Sequence, residues 1–283
     1  MPNTCSISAD QNTADAVFFF ACYNHRMKLL LSNDDGIGAE GLQVLADALK
    51  KEHDVYIAAP SCQRSAYSHS VTYFYSVNHA YRKAIPGIRE AYAIDGTPAD
   101  CVYYGLCGLF DVTFDAVISG INNGRNLSSD CVYSGTVGAA AEGTLSFVPS
   151  IAVSLCGRDL VHYETAAKVL KTILPAFLED PRRLDYMLNV NVPDLPYEEL
   201  KGFKAAVFDT PVDYRRPITK ETVDADTLKL SMETPAPKKY ESIRLPAGDS
   251  GAVSEGYVAL TPLWFDMVRN DCLDSVRKME MLF

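Results

Sequence analysis

Apolar positions in this chain follow two alternating patterns from Lys28 onward. Short continuous apolar runs have the length and texture of strands covered on both faces: "KLLLS" at Lys28 to Ser32, "DVYIAAP" at Asp54 to Pro60, "FDAVISG" at Phe114 to Gly120 and "SIAVSL" at Ser150 to Leu155. Between them the spacing becomes helical. Leu42, Leu45, Ala46 and Leu49 stand at i, i+3, i+4 and i+7 within Ala39 to Lys50, and Val137, Ala140, Ala141 and Leu145 predict one buried helical face in "SGTVGAAAEGTLSF". Pro98 suits the first turn of a helix in "GTPADCVYYGLCGLF". Glu164 to Leu178 reads as another amphipathic helix and "YMLNVNVPDLP" as a strand ending at Pro193. The alternation predicts an α/β, Rossmann-like three-layer fold with a mostly parallel sheet and active groups at the carboxyl ends of its strands.

The two ends of the chain depart from that rhythm. Gly202 to Pro262 is rich in Thr, Pro and charge without a helical period, and reads as a β-rich C-terminal extension that includes the late strand "EGYVALTPL"; a helical tail follows from Phe265. Near the start, "AVFFFAC" is too short to span a bilayer, and Asp10 and Asp15 precede it where a secretory signal carries positive charge. Met1 to Arg26 is therefore expected to be an extension, disordered or upstream of a functional start at Met27, ahead of a single domain over 27–283.

With 283 residues, 48% hydrophobic and 22% charged, the chain is long enough for a substantial core. Its 26 Lys+Arg against 36 Asp+Glu argue against a broad grip on DNA or RNA duplexes, so an anionic ligand needs a local device such as a metal ion or a helix N-terminus. The eight cysteines show no C-x-x-C pair and read as reduced thiols of a cytoplasmic protein.

Three segments carry candidate chemistry. "LLLSNDDGIGAEGL" ends a strand with adjacent carboxylates, Asp34 and Asp35, whose mutual repulsion a hard divalent ion relieves. The same residues also suit a solvated turn. "APSCQRSAYSHSVT" clusters hydroxyls at Ser61, Ser65, Ser68, Ser70 and Thr72, as oxygen ligands or as a polar surface loop. "SGINNGRNLSSDCVYSGTVGAAAEG" offers the amides of Asn122 and Asn126, and Ser134, Gly135 and Thr136 where a helix begins; free N–H groups there bind phosphate, while Ser134 alone suits an N-cap. His69 and His162 stay outside the catalytic set, and buried packing is the plainer reading for Tyr67, Tyr103 and Tyr133.

These blocks, with "GTPADCVYYGL" and "EGYVALTPL", stand in the order and approximate spacing of the SurE family of survival-protein nucleotidases, which the chain resembles from about Lys28 to Pro262. The resemblance implies a phosphomonoesterase that uses one divalent ion per subunit, Mg²⁺ or Mn²⁺, to hydrolyse nucleoside 5′- and 3′-monophosphates. It places metal ligands at Asp34, Asp35, Ser65 and Asn122, with Asn126, Ser134, Gly135 and Thr136 near the phosphate. It also implies a homodimer or homotetramer that exchanges its C-terminal segment. Ala66 and Ser128 depart from the family pattern, which usually has glycine at both positions, and the family's basic and aromatic pattern is not clearly recognisable around Tyr214 to Pro217.

On chemistry, direct attack by water is expected, with Asp34 or Asp35 as proton acceptor. An aspartyl-phosphate phosphatase is a competing reading, but it commonly carries D-x-D rather than adjacent aspartates. A non-catalytic Mg²⁺-dependent receiver or nucleotide-binding module is a second, for which the S-G-I-N and Y-S-G-T blocks have no role.

Overall fold

A computed structural model describes residues 26–209, 217–232, 245–264, 273 and 277. The N-terminal extension up to Asn24 and His25 and the helical tail expected from Phe265 fall almost wholly outside these.

The apolar runs form the centre of a nine-stranded sheet. Strands β1 (Lys28–Ser32), β2 (Asp54–Pro60), β4 (Glu90–Ile94), β5 (Ala116–Asn123), β6 (Ser150–Cys156) and β7 (Met187–Pro193) are mutually parallel in the order β4-β2-β1-β5-β6-β7. β3 (Ala80–Arg82) runs antiparallel on the outer edge of β4. Leu29, Leu30 and Leu31 are wholly buried, as expected for a strand with helices on both faces.

On one face, α1 (Glu40–Leu49) and α4 (Tyr163–Glu179) pack into the main core, and Leu42, Leu45, Ala46 and Leu49 are the buried face of α1 as predicted. The other face carries α2 (Pro98–Tyr104), which begins with a capping box between Thr97 and Asp100, and α3 (Gly135–Leu145). Small residues let α3 lie buried on nearly every side, so the single apolar face expected for it is not what packs it. Leu145, placed on that face from sequence, is 48% exposed at the last helical position.

The structure divides the C-terminal segment. β8 (Phe203–Ala205) and β11 (Val258–Leu263) extend the main sheet, β11 antiparallel to β7 and parallel to β8, with a short helix α5 (Asp249–Ser254) before β11. Among the described residues, only β9 (Ile218–Thr222) and β10 (Leu228–Met232) form a separate antiparallel ribbon.

β1 is followed by β2 on one side, while β5 begins the progression to the other. The strand order therefore reverses between β1 and β5, and the crevice at their carboxyl ends is where ligands sit in open sheets of this kind. Close packing of α1 supports that crevice. A Cβ on Gly41 would lie 2.0 Å from the Ile121 carbonyl oxygen, at the end of β5. Gly41→Ala is therefore expected to destabilise the protein by about 1–3 kcal/mol or more, seen as a lower urea midpoint with an unchanged slope.

Candidate active site

The turn after β1 explains why glycine follows the two aspartates. Asn33 closes it, donating from Nδ2 to Gly36 O at 2.9 Å and accepting from Gly36 N at Oδ1 at 3.2 Å. Gly36 has φ +98°, and a Cβ there would meet the Cys62 carbonyl carbon at 3.2 Å. Only glycine takes that conformation without strain, so Gly36 lets the chain reverse while Asp34 and Asp35 remain at the strand end.

The two carboxylates differ in setting. Asp34 is 4% exposed, and its Oδ1 accepts a short hydrogen bond from Thr136 Oγ1, in the first turn of α3. Burial raises its pKa from 3.8 to about 6; the Thr136 hydroxyl and amide oppose that rise, and the neighbouring Asp35 charge adds to it. Asp35 is half-buried, and its Oδ2 accepts from Asn123 N at 2.9 Å. Burial raises it as well, against that hydrogen bond. Among the described residues no Lys, Arg or His forms an ion pair with either group.

The start of α3 lies directly against Asp34. A Cβ on Gly135 would come within 2.7 Å of Asp34 Cβ, so glycine permits the approach. Ser134 is the N-cap of α3, its Oγ accepting from Val137 N at 3.0 Å, as the simpler of the two sequence readings has it.

Asn122 stands at the end of β5 beside Asn123, and its Nδ2 donates to Gly124 O at 2.8 Å, an arrangement that does not use Oδ1. Ser65 sits on the loop after β2, one residue beyond Arg64, whose amide donates to Asp34 O at 2.6 Å. Ser65 itself is exposed, its Oγ accepting from Gln63 Nε2 at 3.0 Å.

Asn126, expected near the phosphate, lies on the loop between β5 and α3. It is buried, its Nδ2 donates to Ser154 Oγ at 2.8 Å, and its carbonyl accepts from Asn189 and Asn191 of β7 at 2.9 and 3.0 Å. These bonds make it an anchor of the loop between β5 and α3.

Two of the clustered hydroxyls, those of Ser68 and Thr72, and the Ser70 carbonyl hold the loop after β2 in place. Ser68 donates to Val132 O at 2.7 Å, Thr72 Oγ1 to Asp100 at 2.5 Å, and Thr97 Oγ1 to Ser70 O at 2.7 Å. His69 pairs with Glu142 of α3 at 2.8 Å. Tyr67 and Tyr133 are exposed rather than buried; Tyr103 stacks on Tyr73.

Comparison with known proteins settles the family. Residues 29–211 match the model described as survival protein SurE. The chain belongs to the SurE family. The 5′-nucleotidase SurE of Nitrosococcus oceani is 39% identical over 250 residues, covering 88% of this chain and 96% of that protein. The 5′/3′-nucleotidase SurE of Cronobacter sakazakii is 41% identical over 253 residues, covering 89% and 96%. The crystal structure of the SurE protein from Aquifex aeolicus superimposes with a TM-score of 0.75 at 35% identity, over 89% of this chain and 99% of that one.

The two departures from the SurE glycine pattern fall on left-handed backbone. Ala66 has φ 62° and Ser128 has φ 51°, so glycine at these sites answers a conformational need that this chain meets with strained residues.

The buried acid at Asp34 makes the metal-free protein sensitive to pH. Its folded pKa of about 6 lies above the ordinary 3.8, so the stabilisation it contributes is complete below pH about 4 and is lost as pH rises through about 6. In chelator, Asp34→Asn is expected to remove that dependence and to exceed the wild type at pH 7 by up to roughly 3 kcal/mol. Urea midpoints of both proteins at pH 4 and pH 7 check it.

Proposed function

We propose that this chain is a divalent-metal-dependent phosphomonoesterase that releases phosphate from nucleoside 5′- and 3′-monophosphates. The observation that carries this reading is the pair Asp34 and Asp35 at the strand-order reversal, without a cationic side-chain partner among the described residues and faced by the first turn of α3. The names of the nucleotidase relatives support the substrate class.

The donor set suits a hard ion. Two carboxylates balance a divalent charge, and Ser65 and Asn122 add neutral oxygens; with only two acidic ligands, no cluster of three His, Cys, Asp or Glu side chains exists among the described residues. Asp34, Asp35, Ser65 and Asn122 would hold one Mg²⁺ or Mn²⁺ per subunit. When bound, such an ion polarises the phosphoryl group and acidifies water. Asp34 or Asp35 accepts the proton of the attacking water. The first turn of α3 at Gly135 and Thr136, whose N-cap is Ser134, presents the positive end of the helix dipole to the non-bridging phosphoryl oxygens as charge moves toward the leaving group, and Asn126 holds its loop to the sheet.

Assembly into a homodimer or homotetramer belongs to the same reading. In the β9–β10 ribbon, Met232 opposes Ile218, Leu230 opposes Lys220 and Leu228 opposes Thr222, so Ile218, Leu228, Leu230 and Met232 share one face, and all four are exposed. A two-stranded ribbon is marginal alone, and a second copy covering that face would stabilise it. Cys62, Cys101, Cys107, Cys131 and Cys156 are free thiols, in keeping with a cytoplasmic location. No helix among the described residues is long and apolar enough to cross a membrane.

The test is phosphate release from a panel of 5′- and 3′-monophosphates with Mg²⁺, Mn²⁺ or EDTA. Release that requires the metal is expected. A folded, metal-binding protein that releases phosphate from no member of the panel would overturn the reading.

A further inference from the structure

The loop between β5 and α3, which on the proposed reading presents the phosphate-binding turn, is fastened at Ser128 to a part of the chain more than eighty residues away. Ser128 is 2% exposed, and Asp249 at the start of α5 is wholly buried. Asp249 Oδ2 accepts from Ser128 N at 2.6 Å, and Oδ1 accepts from Ser128 Oγ at 2.5 Å and from Ser250 N at 2.8 Å.

The same Ser128 hydroxyl accepts from Asp209 N at 2.8 Å. The Asp209 carboxylate in turn accepts from Leu245 N at 2.7 Å and Ser250 N at 3.2 Å. Main-chain bonds complete the fastening, from Val207 N to Ala247 O at 3.0 Å and from Asp249 N to Val207 O at 2.9 Å.

One hydroxyl thus joins three stretches of chain: the loop before α3, the end of the segment through Asp209, and the segment that begins at Leu245. The latter two bracket the β9–β10 ribbon in sequence. Ser128 holds a left-handed φ of 51°, which a non-glycine residue keeps only where its surroundings enforce it. Two hydrogen bonds to the buried Asp249 side chain, from Ser128 N and Ser128 Oγ, supply that enforcement.

We propose that Ser128 and Asp249 form a clasp through which the C-terminal segment positions the catalytic loop, with Asp249 and Ser128 as positioning residues. This rests on the nucleotidase reading for its effect on turnover. Asn126 anchors one end of the loop to β6 and β7, and the clasp fixes the next turn, so the two together set where Ser134, Gly135 and Thr136 begin α3.

Two variants test it. Asp249→Asn puts an amide where two donors from Ser128 converge, so one of them loses its acceptor. Ser128→Gly deletes the hydroxyl but relieves the backbone and keeps the amide bond to Asp249. In full-length protein with Mn²⁺, Asp249→Asn is expected to lower kcat about tenfold or more, with KM little changed, and to raise hydrogen exchange in residues 124–134 but not in α4. Ser128→Gly is expected to lower kcat a few-fold and raise exchange in the same loop while the protein stays fully folded at the assay temperature.

A fall in kcat without a matching fall in the folded fraction is what a purely structural contact would not give. Unchanged kcat in well-folded Ser128→Gly, or a loss matched by its unfolded fraction, overturns the proposal, and this variant decides the matter if Asp249→Asn does not fold. Should the wild type release phosphate from no monophosphate, the nucleotidase reading fails by itself. Exchange then decides for the clasp: loosened 124–134 supports it and unchanged protection overturns it.

Discussion

Asp35→Asn is expected to lower phosphate release by on the order of 10²–10⁴-fold while leaving the protein folded. Asn at this position keeps an oxygen able to accept from Asn123 N, so the local hydrogen bond survives. What disappears is one of the two negative charges that a divalent ion needs, together with a candidate proton acceptor. Asp35 is only half-buried, and its loss removes repulsion from Asp34, so thermal stability in chelator should not fall. Turnover and Mn²⁺ titration on the same preparation check the two halves separately. A variant retaining a tenth of wild-type activity would show that the second carboxylate is dispensable.

Gly135→Ala is expected to cost about 10- to 100-fold in turnover through geometry alone. The added Cβ would lie 2.7 Å from Asp34 Cβ, 3.1 Å from Asp34 Oδ2 and 3.1 Å from Pro98 Cγ. None of these atoms belongs to a long flexible side chain, so the first turn of α3 has to retreat. Retreat withdraws the Thr136 hydroxyl from Asp34 and, with it, an interaction that holds the Asp34 pKa down. Gly38→Ala is the control: a Cβ there meets nothing within 4 Å, and its turnover should match the wild type.

The sequence shows the centre of this fold better than its margins. β2 was legible to its last residue because a continuous apolar run ends in proline, and a strand covered on both faces needs that texture. β3 gives no such signal, since all three of its residues are exposed on the edge of the sheet, and β4 is five residues with partly exposed positions. Leu145 misled because helical periodicity does not record where a helix overruns the surface it packs on.

The site divides in the same way. Asp34, Asp35 and Asn122 were legible as residue types suited to a hard cation. Asn126 carries the same amide as Asn122, yet its partner Ser154 lies 28 residues away on another strand, a pairing that only the tertiary path decides. The main-chain amide of Asn123 that supports Asp35 has no side-chain signature at all.

The loop after β2 is tied down by side chains, through Ser68, His69, Thr72 and the reach of Thr97 to Ser70, rather than by a ladder of strand hydrogen bonds. Such a tether opens at a lower free-energy cost than the buried sheet it rests on. Catalytic competence and native structure are consequently separate thermodynamic quantities here. As urea rises, turnover should vanish while circular dichroism still reports an intact sheet, and the gap between the two midpoints measures how lightly the serine-bearing side of the site is held.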